Sequence, residues 1–84
     1  METYFEVWDD ATGNRVGGSY ATLAEAREML AAVLRVNGVD AAQESAIIAF
    51  HPGAGRTYEL TTVLEGADFV AEERALSRRT ATSA

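Results

Sequence analysis

The segment His51-Pro52-Gly53-Ala54-Gly55-Arg56-Thr57 is where residue types and spacing come nearest to chemistry, because glycines beside a basic residue and a hydroxyl can cradle phosphate. A phosphate loop needs a glycine five residues before its second glycine, and Phe50 stands there. It also needs a lysine where this chain has Arg56. The residues after Arg56 read as a strand, not as a helix whose N-terminus could hold an anion. The segment is therefore read as a hairpin turn. His51 is the only side chain whose unperturbed pKa lies near neutrality. General acid–base work needs a partner, and Glu59 on the facing strand could approach it. No spacing requires that pair, so a solvated histidine at a hairpin end is the preferred reading.

Asp9, Asp10, Thr12 and Asn14 offer oxygen ligands in the manner of a calcium loop, but the closing glutamate and flanking helices are missing. Asp and Asn already have a conformational reason to sit in a turn. Glu72 and Glu73 beside Arg74, Arg78 and Arg79 read as a solvated helix end, with arginines suited to the helix dipole. The functional counterpart is a basic tail docking on the acidic body of a neighbour. No catalytic, cofactor-binding or metal-ligating residue is assigned, and the chain is expected not to be an enzyme. Tyr4 and Trp8 are the more promising pair, because aromatic residues are enriched at interfaces. Either they face a partner or the chain's own C-terminal helix covers them.

The elements that must position these residues follow from periodicity. Residues 3–8 alternate, with Phe5 and Val7 on one side and Tyr4, Glu6 and Trp8 on the other. Asp9 to Asn14 form a turn, and Arg15 to Tyr20 a returning strand whose Gly17-Gly18 predicts a bulge. Thr22 and Glu25 have the spacing of a capping box. Leu23, Ala26, Leu30, Val33 and Leu34 then mark one face of a helix over 23–37, with Gly38 as its stop. Val39 to Glu44 reads as a largely polar connection. Ser45 to His51 is a strand apolar on both faces, hence central in the sheet. Arg56 to Leu64 is the last strand, with Tyr58, Leu60 and Thr62 facing one way. Gly66 breaks it. Ala67 to about Arg78 forms a short helix carrying Phe69, Val70 and Leu76.

The order ββαββα predicts an α+β fold with a four-stranded antiparallel sheet in the order 2-1-3-4. The main helix covers one face. The other face needs the short C-terminal helix or a second subunit. Residues 1–79 are expected to form a single domain and 80–84 a disordered tail.

The chain has 84 residues and no cysteine, so neither disulfides nor thiolate metal sites are available. A domain of this size buries only roughly 60–65% of its unfolded surface, which makes its own core marginal. All seven basic residues are arginine, and the net charge is −6. Residues 1–73 hold all 13 acids and four of the arginines, a net −9; the remaining three arginines lie beyond. An acidic body argues against general nucleic-acid binding, which needs clustered positive charge. No apolar run is long enough to span a membrane and no signal peptide is evident, so the expected location is the cytoplasm.

The run Phe5-Glu6-Val7-Trp8-Asp9, then Gly13-Asn14, Val16-Gly17, Tyr20 and Thr22-Leu23-Ala24-Glu25-Ala26, resembles a group of small uncharacterised bacterial proteins, mostly actinobacterial. They look like a tyrosine-rich hairpin, a helix opened by Thr-x-x-Glu-Ala, and a second hairpin closed by Glu-Gly and an apolar residue. Here Glu65-Gly66 followed by Phe69 matches that closure. The similarity covers about residues 4–70 and implies a ββαββ fold without catalytic residues. A weaker likeness is to HicB-type antitoxins, acidic proteins that open with a hairpin and helix and neutralise a basic RNA-cleaving toxin. This chain lacks their long second segment and any evident DNA-binding module.

The expected function is a non-enzymatic protein-interaction module, a homodimer, with Tyr4, Trp8, Tyr58 and Phe69 as interface residues and no cofactor. The alternative is an acidic antitoxin-like regulator that binds a basic protein.

Overall fold

In the computed structural model, which describes residues 2–82, β1 (Tyr4–Asp9) and β2 (Asn14–Tyr20) form the first hairpin. Its turn is held by Asp9. The Ala11 amide donates to Asp9 Oδ1 at 2.9 Å and the Thr12 hydroxyl to Oδ2 at 3.1 Å. Gly13 takes the left-handed conformation that closes the turn, φ 71°. The β1–β2 register slips between Glu6 and Val7, opposite Gly17 and Gly18, which is the expected bulge.

Helix α1 (Leu23–Asn37) begins at Thr22, whose hydroxyl oxygen accepts from the Glu25 amide at 3.2 Å. The same hydroxyl donates to the Glu25 carboxylate at 3.0 Å. Gly38 ends the helix at φ 96°, its N–H bonded to the Leu34 carbonyl. The segment after it is not the polar connection its composition predicts. It forms a one-turn helix, α2 (Val39–Gln43), with Ala42 fully buried. Five residues are too few to show helical periodicity, and so short a helix is stable only through packing. Ala42 supplies that packing, in a cluster with Val33 and Val70.

Strands β3 (Ser45–Pro52) and β4 (Tyr58–Glu65) form the second hairpin, and α3 (Gly66–Thr82) follows without a linker. Helix α3 is longer than expected at both ends. The tail expected over 80–84 thus overlaps α3 as far as Thr82, and residues 83–84 lie outside the described residues. The sheet is antiparallel throughout, in the order β2-β1-β3-β4, as predicted. Among the described residues, no helix is long and apolar enough to cross a membrane.

The core joins Val7 of β1 and Ile47 of β3 to Ala26 and Leu30 of α1 and to Phe69 of α3. Strand neighbours point to opposite faces, and Val7 pairs with Ile47 across the ladder. Both long helices therefore pack on the same face of the sheet. An ion pair between Arg27 and Glu72 at 2.6 Å ties α1 to α3, with the Arg27 guanidinium 5.4 Å above the Phe69 ring. Glu72 is solvent-exposed, as expected, but it lies in the middle of α3 rather than at a helix end, and it bridges to α1. Phe69, grouped from its sequence with the interface residues, is only 2% exposed and sits inside the chain's own core. It is removed from the candidate interface for that reason.

Candidate functional site on the open sheet face

With α1 and α3 stacked on one side, the opposite face of the sheet is left to the even-numbered residues of β1 and their cross-strand partners. The ladder arranges them in rows. Leu60, Phe50 and Tyr4 form one, and Thr62, Ile48, Glu6 and Ser19 the next. Glu65, Ala46, Trp8 and Arg15 form a third. The two ends of this face differ in chemistry.

One end is aromatic. The Tyr4 and Phe50 rings stack nearly parallel, 3° apart in plane, with centroids at 4.9 Å. Tyr58 meets Tyr4 edge-on at 5.3 Å. Such pairs are worth about 0.5–1.5 kcal/mol beyond their buried area. They give this end a preformed, rigid apolar surface. Leu60 extends it to the sheet edge and is 58% exposed. Burial, then the Glu6 carboxylate and Tyr58, raise the Tyr4 hydroxyl above its ordinary pKa against an opposing effect of Arg15.

The other end is a closed polar cluster around Glu6, whose side chain is only 6% exposed. Its Oε1 accepts from Trp8 Nε1 at 2.9 Å. Its Oε2 accepts from Arg15 Nη1 at 3.0 Å and from the Ser19 hydroxyl at 2.7 Å. Burial alone would raise the Glu6 pKa. Hydrogen bonds from Ser19, Trp8 and Arg15, together with the Arg15 charge, outweigh it and hold the carboxyl below its ordinary value. The cluster fixes the Trp8 ring against the sheet and neutralises its own charge.

Of the residues singled out by sequence, Tyr4, Trp8 and Tyr58 share this face, and Phe69 does not. Glu6 lies on it, as the alternation of β1 predicts, and Phe50, Ile48 and Leu60 belong to it without having been singled out as interface residues. Their signal was the alternation of β3 and β4 once the ladder register is known. His51 lies across the ladder from Glu59. Its Nδ1 pairs with the Thr3 hydroxyl at 3.2 Å. The glycine-rich segment folds as a turn, with Gly53 N–H on the Thr57 carbonyl at 2.8 Å and the Thr57 hydroxyl on the Ala54 carbonyl at 2.7 Å. Asp9 spends both carboxylate oxygens on its own turn. Among the described residues, no group of three or more His, Asp or Glu converges as a metal site.

No family model matches the chain, and neither the curated proteins nor the solved structures contain a match to it.

Proposed function

We propose that this chain is a non-enzymatic interaction module that self-associates through the open face of its sheet. The observation that carries the reading is the placement of both long helices on one side, which leaves Tyr4, Phe50, Tyr58, Ile48 and Leu60 as a contiguous apolar surface. Exposed apolar surface of this kind marks an interaction site.

Charge favours a second copy as the occupant. The chain carries −6, yet the strand residues at the centre of this face include one acid, Glu6, bonded to one base, Arg15. The other acid in these rows, Glu65, lies at the β4 edge of the Trp8 row, away from the aromatic end, so a second copy seated on the aromatic end would meet no like charge there. Two such faces can pack as layers of a sandwich, about 10 Å apart, with aromatic rows interdigitating.

Sedimentation velocity across a concentration series tests the reading. Wild type should shift from monomer to dimer. Leu60→Asp places a charge at an exposed position and should leave a folded monomer. Trp8→Ala should weaken the dimer by about 2 kcal/mol if the ring is central to the contact. A wild-type chain that stays monomeric at high concentration refutes self-association. A dimer indifferent to Leu60→Asp refutes this face as its surface.

A further inference from the structure

We infer that the cleft where α1, α2 and α3 meet binds a small aliphatic carboxylate, its hydrocarbon chain against the apolar walls and its carboxylate on Arg74 and Arg78. This goes beyond self-association and does not depend on it, because the cleft lies among the helices and the open face lies on the other side of the sheet.

The cleft encloses about 480 Å³, within the range of about 300–1,000 Å³ usual for small-molecule sites. Val70 of α3 is its most deeply buried lining residue, at 1% exposed. Leu34 of α1 and Val39 of α2 complete the apolar walls and are half-buried. All three are aliphatic, and among the described residues no aromatic ring lines the cleft. Such walls accept a flexible hydrocarbon chain and give an aromatic ligand nothing to stack on.

The polar rim selects the charge of the ligand. It consists of Glu73, Arg74, Ser77 and Arg78, all from α3. Arg74 and Arg78 are four residues apart and share one helix face, a spacing at which like charges destabilise a helix. Arg78 Nε donates to the Arg74 carbonyl at 3.4 Å, which turns its side chain back toward Arg74. The helix supplies no acid to offset Arg74. The positions three and four away from it hold Val70, Ala71, Ser77 and Arg78. Arg15 and Arg27 each hold a carboxylate, whereas among the described residues Arg74 is in no ion pair. A ligand carboxylate relieves the repulsion and accepts charge-assisted hydrogen bonds from the guanidinium groups. Ser77, on the same turn as Arg78, adds a hydroxyl donor. Glu73 sets the direction of binding. It borders both this cleft and the hollow beside Arg27 and Phe69, so it stands at the end away from Arg78 and repels a carboxylate there. The rest of the acidic chain acts from farther off, and charges beyond about 8 Å are largely screened at physiological salt.

The test uses the full-length 15N-labelled protein at physiological ionic strength. The probe is octanoate below its micelle-forming concentration, compared with octanamide and octylammonium. Saturable amide shifts centred on Leu34, Val39, Val70, Arg74 and Ser77 are expected with octanoate. Octanamide should bind about tenfold more weakly, since it keeps the chain and loses the charge. Arg74 is exposed, so Arg74→Gln should fold and should weaken octanoate about fivefold, the upper range for one exposed ion pair. The same variant should leave octanamide unchanged. Glu73→Gln should strengthen octanoate. No saturable shift at millimolar octanoate, shifts centred on the open sheet face, equal binding of octanamide, or indifference to Arg74→Gln would each overturn the inference. Preferential binding of octylammonium would assign the cleft to Glu73 and overturn it as well. None of these results bears on the sedimentation test of self-association.

Discussion

Replacing Gly66 with alanine asks one methyl group to occupy space already held by backbone. A Cβ built at Gly66 collides with the carbonyl oxygens of Ala42 and Ser45 and lies 2.9 Å from the Ala42 carbonyl carbon. Left-handed backbone is not the reason for this glycine, since its φ is not among the positive ones. The obstructing carbonyls cannot easily retreat. The Glu44 amide is bonded to the Asp40 carbonyl at 3.2 Å, and the Ser45 hydroxyl to the Ala41 carbonyl at 2.9 Å. The Asp10 amide holds the Glu44 carbonyl at 2.8 Å from the first hairpin. Helix α3 must therefore move, and it moves away from where Phe69 and Val70 are buried. Overpacking costs about 1–3 kcal/mol, and loosened packing of two core side chains pushes the total to the upper end. We expect a loss of about 3 kcal/mol, against a total stability on the order of 4–13 kcal/mol for a domain of this size. That corresponds to a fall in melting temperature of roughly 12–24 °C. Thermal unfolding followed by circular dichroism measures it, with Gly18→Ala as the control. A Cβ at Gly18 meets nothing within 4 Å, so that variant should lie within about 0.5 kcal/mol of wild type. If Gly66→Ala melts within about 3 °C of wild type, α3 does not start against Ala42 and Ser45, and the placement of Phe69 fails with it.

Thr22→Ala removes the acceptor of the Glu25 amide and should cost about 1 kcal/mol in chemical denaturation; no loss would mean that α1 starts elsewhere. Glu6 has a lowered pKa in the folded chain, so its contribution is fully present above the ordinary carboxylate range, about pH 4.3, and is lost as pH falls through the lowered folded value. The stability gap between wild type and Glu6→Gln should be widest near neutrality and close in acid. Urea unfolding from pH 7 to pH 3 measures it, and a gap independent of pH would mean that the carboxylate is not bonded as described.

Much of this fold was legible because it rests on contacts between near neighbours in the chain. The Asp9-to-Gly13 turn, the Gly17-Gly18 bulge, the Thr22 cap and the Gly38 stop each concern residues within a few positions of one another. Their residue types narrow the local backbone before any tertiary contact forms. Strand order followed from adjacency and the rarity of other connections. Helix α2 was not legible, because Val39–Gln43 is helical only by virtue of burying Ala42 against Val33 and Val70. Nor was the side of the sheet chosen by α3. By periodicity alone, its Phe69 and Val70 could have served either face. The steric demand at Gly66 seats the start of α3 against the α2–β3 junction, and Phe69 then completes the core beside Leu30. That choice leaves Tyr4, Phe50 and Tyr58 uncovered and turns Glu6, an ordinary polar position in an alternating strand, into a buried carboxylate bonded by Trp8, Arg15 and Ser19. Alternation sets which residues share a face, but contacts between distant segments decide which face is covered.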